Sequence, residues 1–129
     1  MGKVTFTGAD DNPVGIEYST ARGPVVRSEK MEVARVFFAK GKGAHYHSHP
    51  EEQIFFIAEG RLQVTLGEGA GAETYIAEQG DASFHPSNVP HKVVGLEDTV
   101  CVSFKNLVDP AESPKAVRNV YTATGRLDA

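Results

Sequence analysis

The sequence predicts an all-β fold, a barrel or a sandwich. Three observations carry this. Short apolar or alternating stretches recur at regular spacing, about eight to ten of them, each with the period of a strand. Turn residues separate them: the chain has 13 Gly and 7 Pro. No amphipathic helix of about ten residues or more is visible, and runs of short strands with Gly and Pro turns pack as β layers.

Composition narrows the class further. With 129 residues, 40% hydrophobic and 23% charged, the chain reads as one globular domain over residues 1–129. A domain of this size buries roughly two thirds of its unfolded surface. We place the barrel core at about residues 31–104, with N-terminal strands in 1–30 and a C-terminal arm in 105–129. The net charge of −4, from 13 Lys and Arg against 17 Asp and Glu, gives no drive toward nucleic acid or anionic lipid. The single cysteine, Cys101, cannot form an internal disulfide and suits a reducing compartment. No apolar run approaches the ~20 residues of a membrane span. The first residues, MGKVTFTG, lack the apolar core of a signal peptide. A cytoplasmic protein is expected.

Taken in order, residues 4–6 and 14–19 read as short strands around the turn Asp10, Asp11, Asn12 and Pro13,. Gly23 and Pro24 turn the chain into Val25 and Val26. Residues 31–39 are a stronger strand, ended by Gly41 and Gly43. The histidine-rich stretch follows, then the apolar run of residues 53–58. Glu59 and Gly60 read as a hairpin turn into residues 61–66, where Leu62, Val64 and Leu66 alternate with Arg61, Gln63 and Thr65,. Residues 67–71 form a loop and 73–77 a short strand. Gln79, Gly80 and Asp81 turn the chain into 82–84. The two-proline loop 85–90 leads to His91 and the strand 92–95. In residues 99–104, Val100, Val102 and Phe104 share one face, while Cys101 and Ser103 share the other. Phe38, Phe55, Phe84 and Phe104 read mostly as core. Beyond residue 105, Pro110 and Pro114 exclude a long helix,. Residues 115–119 fit one helical turn, and the tail reads as an arm on the barrel or on a second subunit.

The chemistry concentrates in residues 43–60, GAHYHSHPEEQIFFIAEG. His45, His47 and His49 recur at a spacing of two, so in a strand all three imidazoles point the same way. Gln53 stands just ahead of the apolar run. Together these are plausible metal ligands at the edge of a buried strand. Glu51 and Glu52 read as solvated, with Glu51 able to stand in for Gln53 if the register slipped by two. Tyr46 faces away.

Two separated motifs resemble those of the cupins, small jelly-roll β-barrel proteins. The first family pattern is a glycine, five residues, His-x-His, three or four residues, an acid, six residues and a glycine. Here Gly41, His47, His49, Gln53 and Gly60 keep that spacing. The second is a glycine, five residues, Pro-x-Gly, two residues, His, three residues and Asn. Here Gly80, Pro86, Asn88, His91 and Gly95 keep it. The resemblance spans about residues 35–104 and departs at three positions. Gln53 replaces the usual glutamate, Asn88 a turn glycine and Gly95 the final asparagine. Asn88 is a mild change, since asparagine tolerates left-handed backbone.

The resemblance implies a cupin jelly-roll barrel with one divalent transition metal, Fe, Mn, Ni, Zn or Cu, on His47, His49, Gln53 and His91. Three imidazoles and an amide oxygen suit such ions. With no carboxylate ligand the ion keeps its full charge, which favours an anionic small-molecule substrate. The pattern does not need His45, which falls to the rim of the substrate pocket. His85, Arg35 and Phe104 are the other pocket candidates. Arg35 binds a carboxylate if it points inward and is a surface charge if it points out. His85 is otherwise a structural loop residue. No general base is assigned. Isomerase or cyclase, uronate-linearising and dioxygenase-type chemistry all fit. The uronate enzymes share the His-Ser-His-Pro and Gln pattern, but their Asp-x-Phe and Pro-Pro-Arg segments are missing from residues 102–108. The alternative to an enzyme is a non-catalytic metal-dependent barrel that binds or senses a small ligand. A homodimer is expected through the terminal segments.

Overall fold

A computed structural model describes residues 2–3, 5–6, 8–108 and 118–119. Among these residues ten strands form two antiparallel five-stranded sheets. They are β1 (Val25–Arg27), β2 (Met31–Phe38), β3 (Gly43–Ser48), β4 (Gln53–Glu59), β5 (Arg61–Leu66), β6 (Glu73–Glu78), β7 (Ala82–His85), β8 (His91–Gly95), β9 (Thr99–Asn106) and β10 (Arg118–Asn119). The first sheet runs β1-β2-β9-β4-β7 and the second β10-β3-β8-β5-β6. This is the jelly-roll arrangement expected of the sequence.

The period-2 alternation places the side chains. On β2, Glu32, Ala34, Val36 and Phe38 are buried, while Met31, Arg35 and Phe37 are exposed. Residues paired across strands share a face, so the register stacks the interior into rows. Deep in the first sheet lie Val36, Cys101 and Ile57, with Phe38 and Thr99 paired below them. Above them come Ala34, Ser103, Phe55 and Ser83. The top row is Glu32, Lys105, Gln53 and His85. Opposite, Ala44, Val93 and Val64 pair at depth, and His47, His91 and Leu66 pair above them. The barrel therefore has an apolar floor, with Phe38, Ile57, Leu62 and Val64 at 2% exposure or less, and a polar mouth.

Several expectations are corrected. β4 and β5 do not pair as a hairpin: β4 lies between β9 and β7, and β5 between β8 and β6. At Gly60, with φ +92°, the chain crosses from one sheet to the other. An added Cβ there would lie 2.5 Å from the Asp98 carbonyl oxygen and Thr99 Oγ1. A tight polar dipeptide marks a sharp bend without saying which strands it joins. Residues 14–19 form a turn, closed by bonds from Tyr18 N and Ser19 N to Gly15 O. Residues 5 and 6 are not in a strand. Arg118–Asn119 is a strand on the edge of β3, paired with Ser48 and His47, where the sequence predicts a helical turn. Residue 4, residues 115–117 and most of the tail lie outside the described residues.

Phe84 and Phe104 are not core. They are 49% and 36% exposed, on the outer face of the first sheet. On β9 the more apolar face, Val100, Val102 and Phe104, points outward, and Thr99, Cys101 and Ser103 point in. Alternation identifies two faces, but the more hydrophobic one is not always the inner one.

Candidate metal centre

Three buried imidazoles meet at the mouth of the barrel. The ligand-capable nitrogens of His47, His49 and His91 all lie within 4.8 Å of one another. His47 sits on β3 directly opposite His91 on β8, with ring centroids 4.2 Å apart. The bulge between Ala44 and His47 lets one strand bring more than one side chain to the same wall. His49 follows the end of β3, where the proline loop clasps it. Asn88 N donates to His49 O at 2.8 Å, and Ser87 Oγ donates to Pro50 O at 2.6 Å. Asn88 takes φ +61° and is the one non-glycine residue with positive φ among the described residues. It thus fills the turn position where the family pattern has glycine.

Each ring is held in one tautomer. His47 Nδ1 donates to His45 O at 2.8 Å, His49 Nδ1 to Glu51 O at 3.0 Å, and His91 Nδ1 to Val89 O at 3.0 Å. A carbonyl only accepts, so in each ring Nδ1 carries the proton and Nε2 keeps its lone pair. His49 Nε2 and His91 Nε2 are buried with no hydrogen-bond partner among the described residues. Buried polar atoms without partners are uncommon, and neutral imidazoles fixed at Nδ1 are the form that binds metal at Nε2. The residues present therefore fit a divalent metal ion. Beside them a gap of about 30 Å³ is bounded by His47, Gln53, Phe55, His91 and Lys105.

Gln53 is oriented by a chain of hydrogen bonds. Its Nε2 donates to Ser103 Oγ at 2.8 Å, which leaves Oε1 as its ligand-capable atom. His85 Nδ1 lies 3.4 Å from that oxygen. His85 Nε2 is 2.9 Å from Ser83 Oγ, which is 2.6 Å from the Tyr75 hydroxyl. One direction satisfies the chain: Tyr75 donates to Ser83, Ser83 to His85 Nε2, and His85 Nδ1 to Gln53 Oε1.

The cluster is held uncharged. Burial lowers the pKa of His47 to about 2 and those of His49 and His91 to about 4, and it pushes His85 well below its ordinary value. For His47 the neighbouring His91 adds to the shift, and for His49 the Lys105 ammonium does. This has a sign for stability. Below the ordinary value of 6.5 the unfolded chain takes up protons that the folded cluster refuses,. The contribution is complete above pH 6.5 and is lost as pH falls through about 4. The melting temperature of the metal-free protein is expected to fall steadily between those values. A flat profile would contradict the neutral cluster.

Other candidates fall differently from expectation. His45 is buried, not on the rim; its Nδ1 donates to Tyr18 O at 2.9 Å. His85 is fully buried and stacks on His91 with centroids 4.6 Å apart, so it belongs to the interior and is not simply a loop residue. Glu51 is buried, not solvated, with its carboxylate 4.0 Å from His49 Nδ1. Arg35 and Phe104 are not in the pocket. Arg35 lies outside, 3.5 Å from Asp10 and over the Phe6 ring, and Phe104 shares that outer face. Cys101 is buried and its thiol is pushed up to about 12 by burial, which makes it unreactive,. Tyr46 does point away, under Lys92.

Two contributors were missed. The Tyr18 ring stacks on His47 at 3.8 Å between centroids and 17° between planes. Lys105 lies between Glu32 and Gln53 in register. It borders both the inner gap and an open cleft of about 880 Å³ that also meets Tyr18, Glu32, His49 and Glu51. Extending the inward series Thr99, Cys101, Ser103 by one step would have found it.

The family model described as Cupin domain matches residues 34–104. No sequence among the curated proteins matches the chain. Among solved structures, an RmlC-like cupin from Shewanella frigidimarina is similar at TM-score 0.63 and 16% identity, over 77% of this chain and 92% of that one. Oxalate decarboxylase from Bacillus subtilis is similar at TM-score 0.64 and 20% identity, over 78% of this chain but 28% of that one. A small protein of Thermus thermophilus, TT1209, is similar at TM-score 0.59 and 24% identity, over 70% of this chain and 84% of that one.

Proposed function

Since the chain belongs to the cupin-domain family, we propose that it is a metal-dependent barrel acting on a small anionic organic molecule. The observation that carries this reading is the set of buried imidazoles whose Nδ1 atoms are all engaged by carbonyls. In this reading His47, His49 and His91 hold one divalent transition metal through Nε2, with Gln53 Oε1 as fourth ligand. The ion, when bound, supplies a Lewis acid that polarises a substrate oxygen.

The chain's own residues do the rest. Ser103 and His85 hold the Gln53 amide from either side, so its oxygen stays turned toward the histidines. No proposed ligand carries negative charge, so the ion, when bound, would keep its full charge. Lys105 adds a cation at the boundary between gap and cleft. A substrate carboxylate is expected to sit against Lys105 while a second oxygen approaches the ion. An oxalate decarboxylase and an oxalate oxidase among the structural neighbours are named for a small dicarboxylate, which supports the charge class and not the reaction. Isomerisation, cyclisation, uronate linearisation and oxygen-dependent cleavage all remain within it.

The test is turnover of a panel of uronates, β-diketones and enolisable carboxylates by protein loaded with each candidate metal. Metal-dependent consumption of an anionic substrate is expected. Lys105→Met should raise its KM about tenfold while metal content stays unchanged. An unaltered KM would remove Lys105 from the site. Tight binding with no turnover would favour the non-catalytic barrel.

A further inference from the structure

We propose that His85 is a positioning residue for the metal site: its Nδ1–H, aimed by a hydrogen-bond chain that starts at Tyr75 on the other sheet, keeps the Gln53 amide oxygen turned toward the histidine cluster. The inference rests on the metal reading above, with Gln53 Oε1 as fourth ligand. The register builds the arrangement. On the first sheet Gln53 pairs with His85 and Phe55 with Ser83, so Ser83 and His85 follow each other on the inner face of β7. Both are buried, at 1% and 0% exposure. Tyr75 pairs with Val64 on the second sheet and packs against the core. β7 ends the first sheet and β6 the second, so the 2.6 Å contact of the Tyr75 hydroxyl with Ser83 Oγ crosses the seam between the sheets.

Ser103 alone cannot choose the sense of the amide. A hydroxyl accepts from an amide N–H or donates to an amide oxygen equally well, so the 2.8 Å bond between Ser103 and Gln53 survives a turned-over amide. The choice falls to His85, whose Nδ1 is 3.4 Å from Oε1. A ring with its proton on Nδ1 donates there and fixes the oxygen. A ring with its proton on Nε2 offers a bare Nδ1, which calls for the amide N–H instead. The turned-over amide would then present nitrogen to the cluster. That nitrogen's lone pair is delocalised into the carbonyl and binds no metal. The tautomer of His85 and the ligand sense of Gln53 are therefore one choice.

Tyr75 biases that choice. Ser83 Oγ, 2.9 Å from His85 Nε2, is able to donate to it or accept from it. A phenol is a better donor and a poorer acceptor than an aliphatic hydroxyl, so Tyr75 donates to Ser83, and Ser83 turns its own O–H toward Nε2. The ring does not escape the choice by rotating. Phe55 meets it at 4.9 Å between centroids and 74° between planes, and His91 stacks on it at 4.6 Å.

Cobalt(II) is the probe, since it takes the same imidazole and oxygen ligands and its d–d absorption reports their number. Equilibrium dialysis gives the affinity, and circular dichroism reads folding. Wild-type protein is expected to bind about one equivalent. His85→Leu should weaken binding at least about tenfold and alter the d–d band as a ligand is lost. His85→Asn, whose amide N–H stands near the place of Nδ1–H, should recover most of the affinity and the wild-type band. Tyr75→Phe, which removes only a hydroxyl, should move both readouts the same way as His85→Leu, by about fivefold in affinity. It decides the matter should a His85 variant not fold. A space-filling role for His85 predicts the reverse order, with His85→Leu milder than His85→Asn. That order, or a wild-type affinity and band in both His85→Leu and Tyr75→Phe, would overturn the inference and leave the metal site standing. Wild-type protein that takes up no cobalt would overturn the metal reading and this inference with it.

Discussion

Replacing His91 by alanine is expected to abolish metal binding, with affinity falling more than about 100-fold. His91 sits directly opposite His47, faces the His49 ring at 4.9 Å and stacks on His85, so its loss removes the nitrogen that joins the two walls of the cluster. The strand pairing of β8 with β3 and β5 is main-chain. The variant should therefore fold. His45→Ala makes the contrast. It deletes a buried ring bonded to Tyr18 O, so it should lower stability and leave the metal stoichiometry at wild-type level. Equilibrium dialysis of both variants, read with their circular dichroism, separates the roles. The reverse pattern would mean that the ligand set is wrong.

Gly43→Ala should destabilise the fold by about 3 kcal/mol and lower its melting temperature by roughly 10 °C. Gly43 pairs with Val94, beside the Ala44–Val93 pair. An added Cβ would fall inside the van der Waals shell of the Val93 carbonyl oxygen and 2.8 Å from the carbonyl carbon. Those atoms are main chain in a paired strand, so relief means separating β3 from β8, the two strands that carry His47 and His91. Gly43 O also accepts from Thr20 N and Thr20 Oγ1, which fastens the N-terminal segment over the site. Metal affinity should weaken along with stability. Gly71→Ala is the control, because nothing lies within 4 Å of its added Cβ and its φ is not positive. Equal melting temperatures for the two variants would contradict the close β3–β8 approach.

The elements and the histidine cluster were legible for a physical reason. Strand period and turn chemistry are local, and residues 61–66 carry both so clearly that β5 has the expected bounds. His47, His49 and His91 were legible through two motifs whose spacing reflects one barrel. Pairing partners were not legible, since Gly60 bends the chain equally well into a hairpin or across to another sheet. Nor was facing. On β9 the inner positions hold Thr99, Cys101, Ser103 and Lys105, of which Ser103 and Lys105 line the gap beside the histidines. The apolar Val100, Val102 and Phe104 lie on the outer face. His45, Glu51 and His85 were misplaced because burial of a polar side chain depends on distant partners: Tyr18 O for His45, the Ser83 and Gln53 groups for His85.

Elemental analysis of protein purified without chelators tests whether the cluster holds a metal through Nε2 of His47, His49 and His91. About one equivalent of a first-row transition metal per chain is expected, retained through gel filtration and absent from His91→Ala. Less than about a tenth of an equivalent, with no uptake on adding Fe, Mn, Ni, Zn or Cu, would contradict it.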